Sequence, residues 1–575
     1  MSTRTEFGLV PSSDRLDSWK EIAVYLNRSV RTVRRWEWRE RLPVHRLQHE
    51  KRGSVYAYKL ELDSWRESRN LTDAALPEAP HQNSTRRLWF VGGAVASLTI
   101  IFVLASWPWS KRDQAPHPII RSIAVLPLEG LAENSDQAYF RDGVTEELIA
   151  NLSKIGSLRV ISYRSIMSYK GGRHDLSEVA RKLNVDAILT GSVVRTINRV
   201  RISIQLVKIA EQRNLWAETY ERDLDDILPL QAEVARTVAS QIRTSLTPQQ
   251  QTRLSTTRQV DAEAHELHLL GKHHANKGTE EGLNRSISYF DRAIARSPDY
   301  AKPYGGVAFA YTQLSSFYIP PRVAMPKARA AALKALQLDE ELSEAHTWLG
   351  MIHLYFDWDW NGAERELRRA MELNPNSAAA HILYQNYLLS LGRNDEALRE
   401  VARSIELDPL SVHVLAEAQF ANLLARQNDQ AIALGRRLEE IEPGFGTSHL
   451  YTGLAYADKG DFGRAVAELQ TAVRVDPNPT NKAYLAYARA RAGDKAGAER
   501  ILTELERISA HQYVCPFEVA SAYAGLGRKQ EVYRWMRKAV HDRADCMVWL
   551  RTEPWLLSLR GDPEYRALTH EIGFR

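Results

Sequence analysis

The chain has 575 residues, 44% hydrophobic and 26% charged, a composition that fits a globular protein of several domains and excludes a disordered or collagen-like one. Its two cysteines, Cys515 and Cys546, exclude a disulfide framework and any zinc site built from several thiolates. The net charge of +5 belongs to residues 1–87, where 17 basic side chains face 12 acidic ones, while the remainder holds 59 of each.

Residues 15–59 carry 12 basic and 5 acidic side chains, so this module alone suits a polyanionic partner. Ile22, Ala23 and Leu26 form one short apolar face, and Val30, Val33 and Trp36 a second. The break at Asn27-Arg28-Ser29 predicts a tight turn, with Asn27 tolerating left-handed backbone and Ser29 capping the second helix. With Val33 and Trp36 inward, Arg31, Arg34, Arg35 and Trp38 fall on the outer side and Thr32 at its edge. A guanidinium pairs with a guanine edge or grips phosphate, which suits a recognition helix. Pro43 stops that helix. Val44–Leu47 and Ser54–Tyr58 read as strands around a basic Lys51-Arg52-Gly53 turn, and Leu60–Arg66 as a helix with Leu60, Leu62 and Trp65 apolar. The pattern is a winged helix-turn-helix whose wing carries Arg46, Lys51 and Arg52 to phosphates. The stretch IAVYLNRSVRTVRRWE…LPVHR…GSVYAYKLELDSW resembles excisionase-like and MerR-like DNA-binding domains. Residues 15–70 are therefore assigned to double-stranded DNA, with Ser29, Arg31, Thr32, Arg34, Arg35, Trp38, Arg46, Lys51 and Arg52 as the contacting set.

Residues 71–87 are polar and contain proline, the composition of a linker. The 22 residues of Leu88–Trp109 carry no charge. As a helix they span about 33 Å, enough for a bilayer core. Trp89, Trp107 and Trp109 fit an aromatic belt. Basic residues are balanced on the two sides, so orientation follows from the DNA-binding head: amino terminus in the cytoplasm, the rest beyond a bacterial inner membrane. Gly92-xxx-Ala96 and Gly93-xxx-Ser97 offer small faces for a second copy, as a homodimer.

Beyond the span, Ser122–Leu128, Leu158–Ser162, Val185–Arg195, Val200–Ile209 and Leu215–Tyr220 read as strands. Tyr139–Ile155, Leu176–Leu183 and Ile227–Ile242 read as helices. The segments SIAVLPLEGL, YFRDGVTEELIANLSKI, LRVISYRSIMSYKG, VDAILTGSV and LWAETYERDL resemble the amino-terminal α/β domain of TolB, placing a small α/β domain over 119–247. That resemblance implies an interaction domain without catalytic residues. Arg141, Asp142 and Glu146 are candidates for a binding surface.

Pro375, Pro409, Pro443 and Pro477 stand 34 residues apart, each closing a helix. That period is the tetratricopeptide signature, and Gly453, Tyr456, Gly460, Ala465, Ala472 and Pro477 occupy its consensus places. Pro298 closes an earlier repeat, and Glu340 stands at the proline place of the next, with an insertion near SFYIPPRVAMP. About eight helix pairs are expected over 262–545, forming an all-α superhelix whose concave face takes a protein or peptide. Residues 546–575 are expected to cap the last pair with Trp549, Trp555 and Leu556.

No phosphate loop, dinucleotide fingerprint, HExxH, GxSxG or CxxC occurs, so no cofactor, metal or catalytic residue is assigned and no enzyme activity is expected. Asp357-Trp-Asp-Trp-Asn-Gly imitates a calcium loop, but Arg368 holds its twelfth position. His265, His268, His273 and His274 lack a carboxylate or thiolate at ligand spacing and read as packing residues. The order of parts resembles membrane-anchored one-component regulators of the ToxR and CadC kind, and implies transcriptional control. The rival reading is an envelope scaffold acting through its repeats.

Overall fold

The computed structural model describes residues 14–40, 42–47, 54–70, 120–130, 138–172, 174–196, 199–223, 226–242, 248, 260–511 and 513–574. The linker, the apolar run 88–109 and the Lys51–Gly53 turn lie outside them. Among the described residues no helix is long and apolar enough to cross a membrane. The chain forms two compact units, 1–113 and 114–575.

In the first unit, β1 (Arg15–Leu16), β2 (His45–Leu47) and β3 (Ser54–Tyr58) make an antiparallel sheet in the order β1-β3-β2. It carries α1 (Trp19–Tyr25), α2 (Val30–Glu40) and α3 (Lys59–Asn70). The Ser18 hydroxyl accepts from the Glu21 N–H at 3.3 Å, which starts α1. Ile22, Ala23, Leu26, Val33, Leu42, Ala57 and Leu62 form the core, with Trp36 and Trp65 packed on it. Of the three apolar residues read in the last helix, Leu60 is 73% exposed. The helix starts at Lys59, and Leu62 takes the inward place.

The second unit begins with a five-stranded sheet. β4 (Ser122–Val125) lies between β5 (Arg159–Val160) and β6 (Ala187–Arg195), all parallel. β7 (Arg199–Lys208) and β8 (Arg213–Asp223) add antiparallel, giving the order β5-β4-β6-β7-β8. Helices α4 (Ala138–Ser153), α5 (Tyr163–Met167), α6 (Leu176–Leu183) and α7 (Ile227–Gln241) complete the layer. β4 is fully buried, as a central parallel strand should be. It ends short of the expected Leu128 because Pro127 has no N–H to give the ladder. β5 is shorter than expected because its continuation pairs elsewhere: the Ser162 N–H donates to the Leu407 carbonyl at 2.8 Å.

Among the described residues, eight helical hairpins follow, starting at Ala262, Ala301, Ser343, Ala378, Val412, Gly446, Pro479 and Pro516. The fourth is typical, with helices of 13 and 14 residues. Ala465 and Ala472 are fully buried where paired helices meet. A Cβ on Gly453 would lie 2.6 Å from Leu469 Cγ. The left-handed turn between paired helices recurs at Trp358, Gly392, Arg426 and Gly460.

Departures from the period are absorbed locally. Pro298 to Glu340 is 42 residues, eight more than the repeat. The second hairpin takes them as one extra turn on each helix, Ala301–Phe317 with 17 residues and Pro321–Leu338 with 18. Glu340 to Pro375 is 35 residues, and the single extra one goes into a π-turn at His353–Asp357.

The α/β layer and the repeats share one core. Leu269 of the first hairpin belongs to it, and Leu410 packs against it. β5 is an edge strand, and the repeat turns cover its open side. Asn376 Oδ1 accepts from the Val160 N–H at 3.2 Å, while its Nδ2 donates to the Ser153 and Leu158 carbonyls at 2.9 and 2.8 Å. Asp408 Oδ1 accepts from the Ser165 N–H and hydroxyl at 3.0 and 2.5 Å.

Candidate nucleic-acid interface

The turn from α1 to α2 runs through Asn27, whose φ of 50° is left-handed. The Ser29 hydroxyl accepts from the Thr32 N–H at 3.2 Å and lies 2.8 Å from the Thr32 hydroxyl. Both side chains are thereby engaged in starting α2. Val33 is fully buried, and Trp36 stacks obliquely on Trp65 at 5.6 Å between ring centres. That rotation turns Arg31, Arg34 and Arg35 outward, and all three are exposed. The Arg34 guanidinium rests 5.3 Å over the Trp19 ring. Among the described residues Arg31 and Arg35 have no ion-pair or ring partner. α2 thus presents charge on one side because its other side is locked into the core.

Trp38 and Arg46 occupy α2 and β2, but their side chains lie outside the described residues, as do Lys51 and Arg52 altogether. Arg28, absent from the predicted set, is exposed in the turn with its guanidinium 6.0 Å from the Trp36 ring. Its place beside Ser29 was the available signal.

The candidates in the α/β layer are mostly structural. Asp142 is buried and accepts from Lys170 Nζ at 2.6 Å. Glu146 pairs with Lys272 Nζ at 2.9 Å, and burial pushes its carboxyl up. The adjacent Glu147, buried, is ion-paired to Lys302 with Lys272 close by, and these positive charges hold its carboxyl well below the usual range despite burial. Glu146 and Glu147 join α4 to the first repeats, and Asp142 ties it to the turn after α5, so little of α4 is left as open surface. Burial drives His265 down to about 3 and His268 in the same direction, and both side chains are packed in the interior. The acids of the calcium-like stretch are committed too. Asp357 pairs with Arg329 and with His353 Nδ1 at 3.1 Å, and Asp359 caps the next helix through the Gly362 N–H at 2.9 Å.

The carboxy-terminal segment does more than cover the last pair. Trp549 meets Tyr355 and Phe420 at 6.3 and 5.1 Å between centres, and Trp555 meets Phe517 at 5.1 Å. The Tyr484 hydroxyl donates to Glu553 at 3.3 Å. Phe574 stacks on Trp360 at 4.4 Å. Tyr355, Phe420, Tyr484 and Phe517 all come from first helices or their continuation, the elements that line the concave face of such arrays. The predicted binding face is therefore filled along this line by the chain's own terminus. Beside it lies a cleft of about 550 Å³ lined by Arg426, Arg551 and Arg560 with Leu424, Leu557 and Tyr565, and by no acidic side chain.

Residues 453–479 match the tetratricopeptide repeat family. The chain contains tetratricopeptide repeats. It is 39% identical over 173 residues to "Putative adenylate cyclase 3" of Rhizobium meliloti (strain 1021), covering 28% of this chain and 30% of that one. It is 24% identical over 333 residues to the transcriptional regulator HilA of Salmonella typhimurium (strain LT2), covering 56% of this chain and 57% of that one. The chain thus spans less than two thirds of either relative. Among solved structures, a tetratricopeptide repeat protein from Parabacteroides merdae is 13% identical, with 46% of this chain and 99% of that one covered at a TM-score of 0.35. YrrB, described as a TPR protein with an unusual peptide-binding site, is 22% identical, with 33% and 93% covered at a TM-score of 0.25.

Proposed function

We propose that this protein is a membrane-anchored bacterial transcriptional regulator. Its amino-terminal winged helix-turn-helix binds promoter DNA, and its α/β and repeat region takes a ligand or protein partner. The observation that carries the reading is the outward row of Arg31, Arg34 and Arg35 on a helix whose opposite side, at Val33, is fully buried. That row sits in the module holding the chain's whole positive excess. The likeness to a transcriptional regulator over 56% of the chain supports it. In this reading residues 88–109 cross the inner membrane once, with the head in the cytoplasm and a TolB-like domain and repeats in the periplasm. Two copies pair through their small-residue faces. No enzyme activity is part of the proposal, since the sequence offers no phosphate loop or catalytic constellation.

A gel-shift titration of the full-length chain against duplex DNA tests it. Binding should fall steeply with salt, because each phosphate neutralised releases counterions. Absence of DNA affinity at low salt overturns the proposal. A reporter active only in the periplasm, fused after Arg575, should be active.

A second reading is a scaffold that works through its repeats, and the tetratricopeptide match favours it equally. It keeps the partner and drops the DNA. Arg551 and Arg560 of the cleft suit an acidic protein segment in either case, Arg426 being already paired with Asp458.

A further inference from the structure

We propose that Cys515, Cys546 and Asp545, with Glu518 beside them, bind a thiophilic divalent cation of the zinc class. A helical hairpin brings the start of its first helix close to the end of its second. Cys515 immediately precedes the last hairpin's first helix, Pro516–Gly525. Asp545 and Cys546 open the 3-10 turn Asp545–Trp549, just after the second helix, Lys529–Asp542. Cysteines 31 residues apart are thereby brought to 2.9 Å between sulfurs. Asp545 Oδ1 lies 3.3 Å and Glu518 Oε1 3.7 Å from Cys546 Sγ. The donor atoms of Cys515, Asp545 and Cys546 all lie within 4.8 Å of one another.

Two thiols at this spacing suit either a disulfide or a shared ion. A disulfide closes the sulfurs to about 2.05 Å. A tetrahedral ion with bonds of about 2.3 Å to sulfur holds them roughly 3.8 Å apart. Either needs a shift of less than about 1 Å, so the sulfurs alone do not decide. The carboxylates do. Glu518 is buried, with only the Thr480 hydroxyl and Cys546 as hydrogen-bond partners among the described residues. Asp545 Oδ1 and Glu518 Oε1 converge on the same sulfur, a donor set that a disulfide leaves unused and a divalent ion takes as its remaining ligands. Two sulfur and two oxygen donors fill a tetrahedral shell, and a Glu518 that stays with Thr480 leaves the fourth position to water. The site lies where the terminal segment leaves the last hairpin for the inner face of the array, so the ion would pin that departure.

The full-length chain, reduced and kept free of oxygen, is titrated with Co²⁺ and then Zn²⁺. Thiolate-to-cobalt charge-transfer absorption should saturate at one equivalent, disappear on adding Zn²⁺, and be lost in Cys546→Ser. Asp545→Asn should shift the cobalt ligand-field bands while retaining the thiolate absorption. Zn²⁺ should also protect Cys515 and Cys546 of the unaltered chain from alkylation, a reading that needs no variant to fold. Lack of a thiolate band in the reduced chain overturns the assignment. So does a band that persists in the Cys515→Ser, Cys546→Ser chain, or a purified chain two hydrogens light that takes no metal after reduction.

Discussion

Replacing Asn376 with alanine should loosen the α/β layer from the repeats. The side chain is buried at the edge of the sheet and serves three backbone groups: the carbonyls of Ser153 and Leu158 and the N–H of Val160. Val160 has no strand on that side to receive its N–H. Alanine leaves all three without a partner. A buried group so stranded costs about 1–3 kcal/mol, and water entering the vacated space recovers part of this. The expected loss is about 3 kcal/mol. Urea unfolding of residues 114–575, a compact unit by themselves, measures it through the midpoint at constant slope. Asn376→Asp retains the shape and the acceptor but turns the donor toward two carbonyls into an acceptor, so it should be at least as damaging. A loss under about 0.5 kcal/mol for alanine, the range of an uninvolved surface site, would refute the reasoning. An aspartate variant more stable than the alanine variant would do the same.

Gly460→Ala should cost about 1–2 kcal/mol in urea unfolding, because its φ of 80° is left-handed and its Cβ would meet no other atom, so backbone strain is the whole effect. Glu553 is buried, and desolvation pushes its carboxyl up to about 7. The folded state therefore holds this proton more tightly than the unfolded chain; the contribution is fully present below the ordinary pKa near 4.5 and is lost as pH rises to about 7. Thermal melts of Glu553→Gln should match the parent near pH 4.5 and exceed it at pH 8. In gel shifts, Arg31→Ala or Arg35→Ala should weaken specific DNA binding by about 1–3 kcal/mol if either reads a base edge, and equal loss on all sequences would mark a phosphate contact instead.

The sequence shows the repeats through features that depend on neighbours within one hairpin. Proline ends a helix, alanine permits close approach, and glycine permits the left-handed turn, so Pro477, Ala465 and Gly460 announce themselves. The head is readable for the same reason, since Ile22 and Leu26 lie at helical spacing before the turn at Asn27, and Val30 and Val33 after it. The two-residue β1 carries no period and is invisible. Leu60 shows the limit of hydrophobicity alone, because Leu62 two residues on competes for the same core. What escapes the sequence is long-range choice. Trp549 and Trp555 plainly need cover, but nothing in their spacing says that Tyr355 and Phe420, far outside the last helix pair, will supply part of it. Asn376 looks like one more turn residue beside its proline. Its work at a strand more than 200 positions earlier appears only when the chain is folded.

The π-turn at His353–Asp357 bears on how such a chain changes length. A stack of identical hairpins resembles a one-dimensional crystal, in which a stray residue is a dislocation that throws every later unit out of phase. Here the defect is healed within five residues, and Trp358, Gly392, Arg426 and Gly460 resume their 34-residue beat. The longer second hairpin heals differently, by whole turns added to both arms. The chain thus shows two ways to take up extra residues: a single one where a helix can bulge, and matched turns of about four on each side of a hairpin.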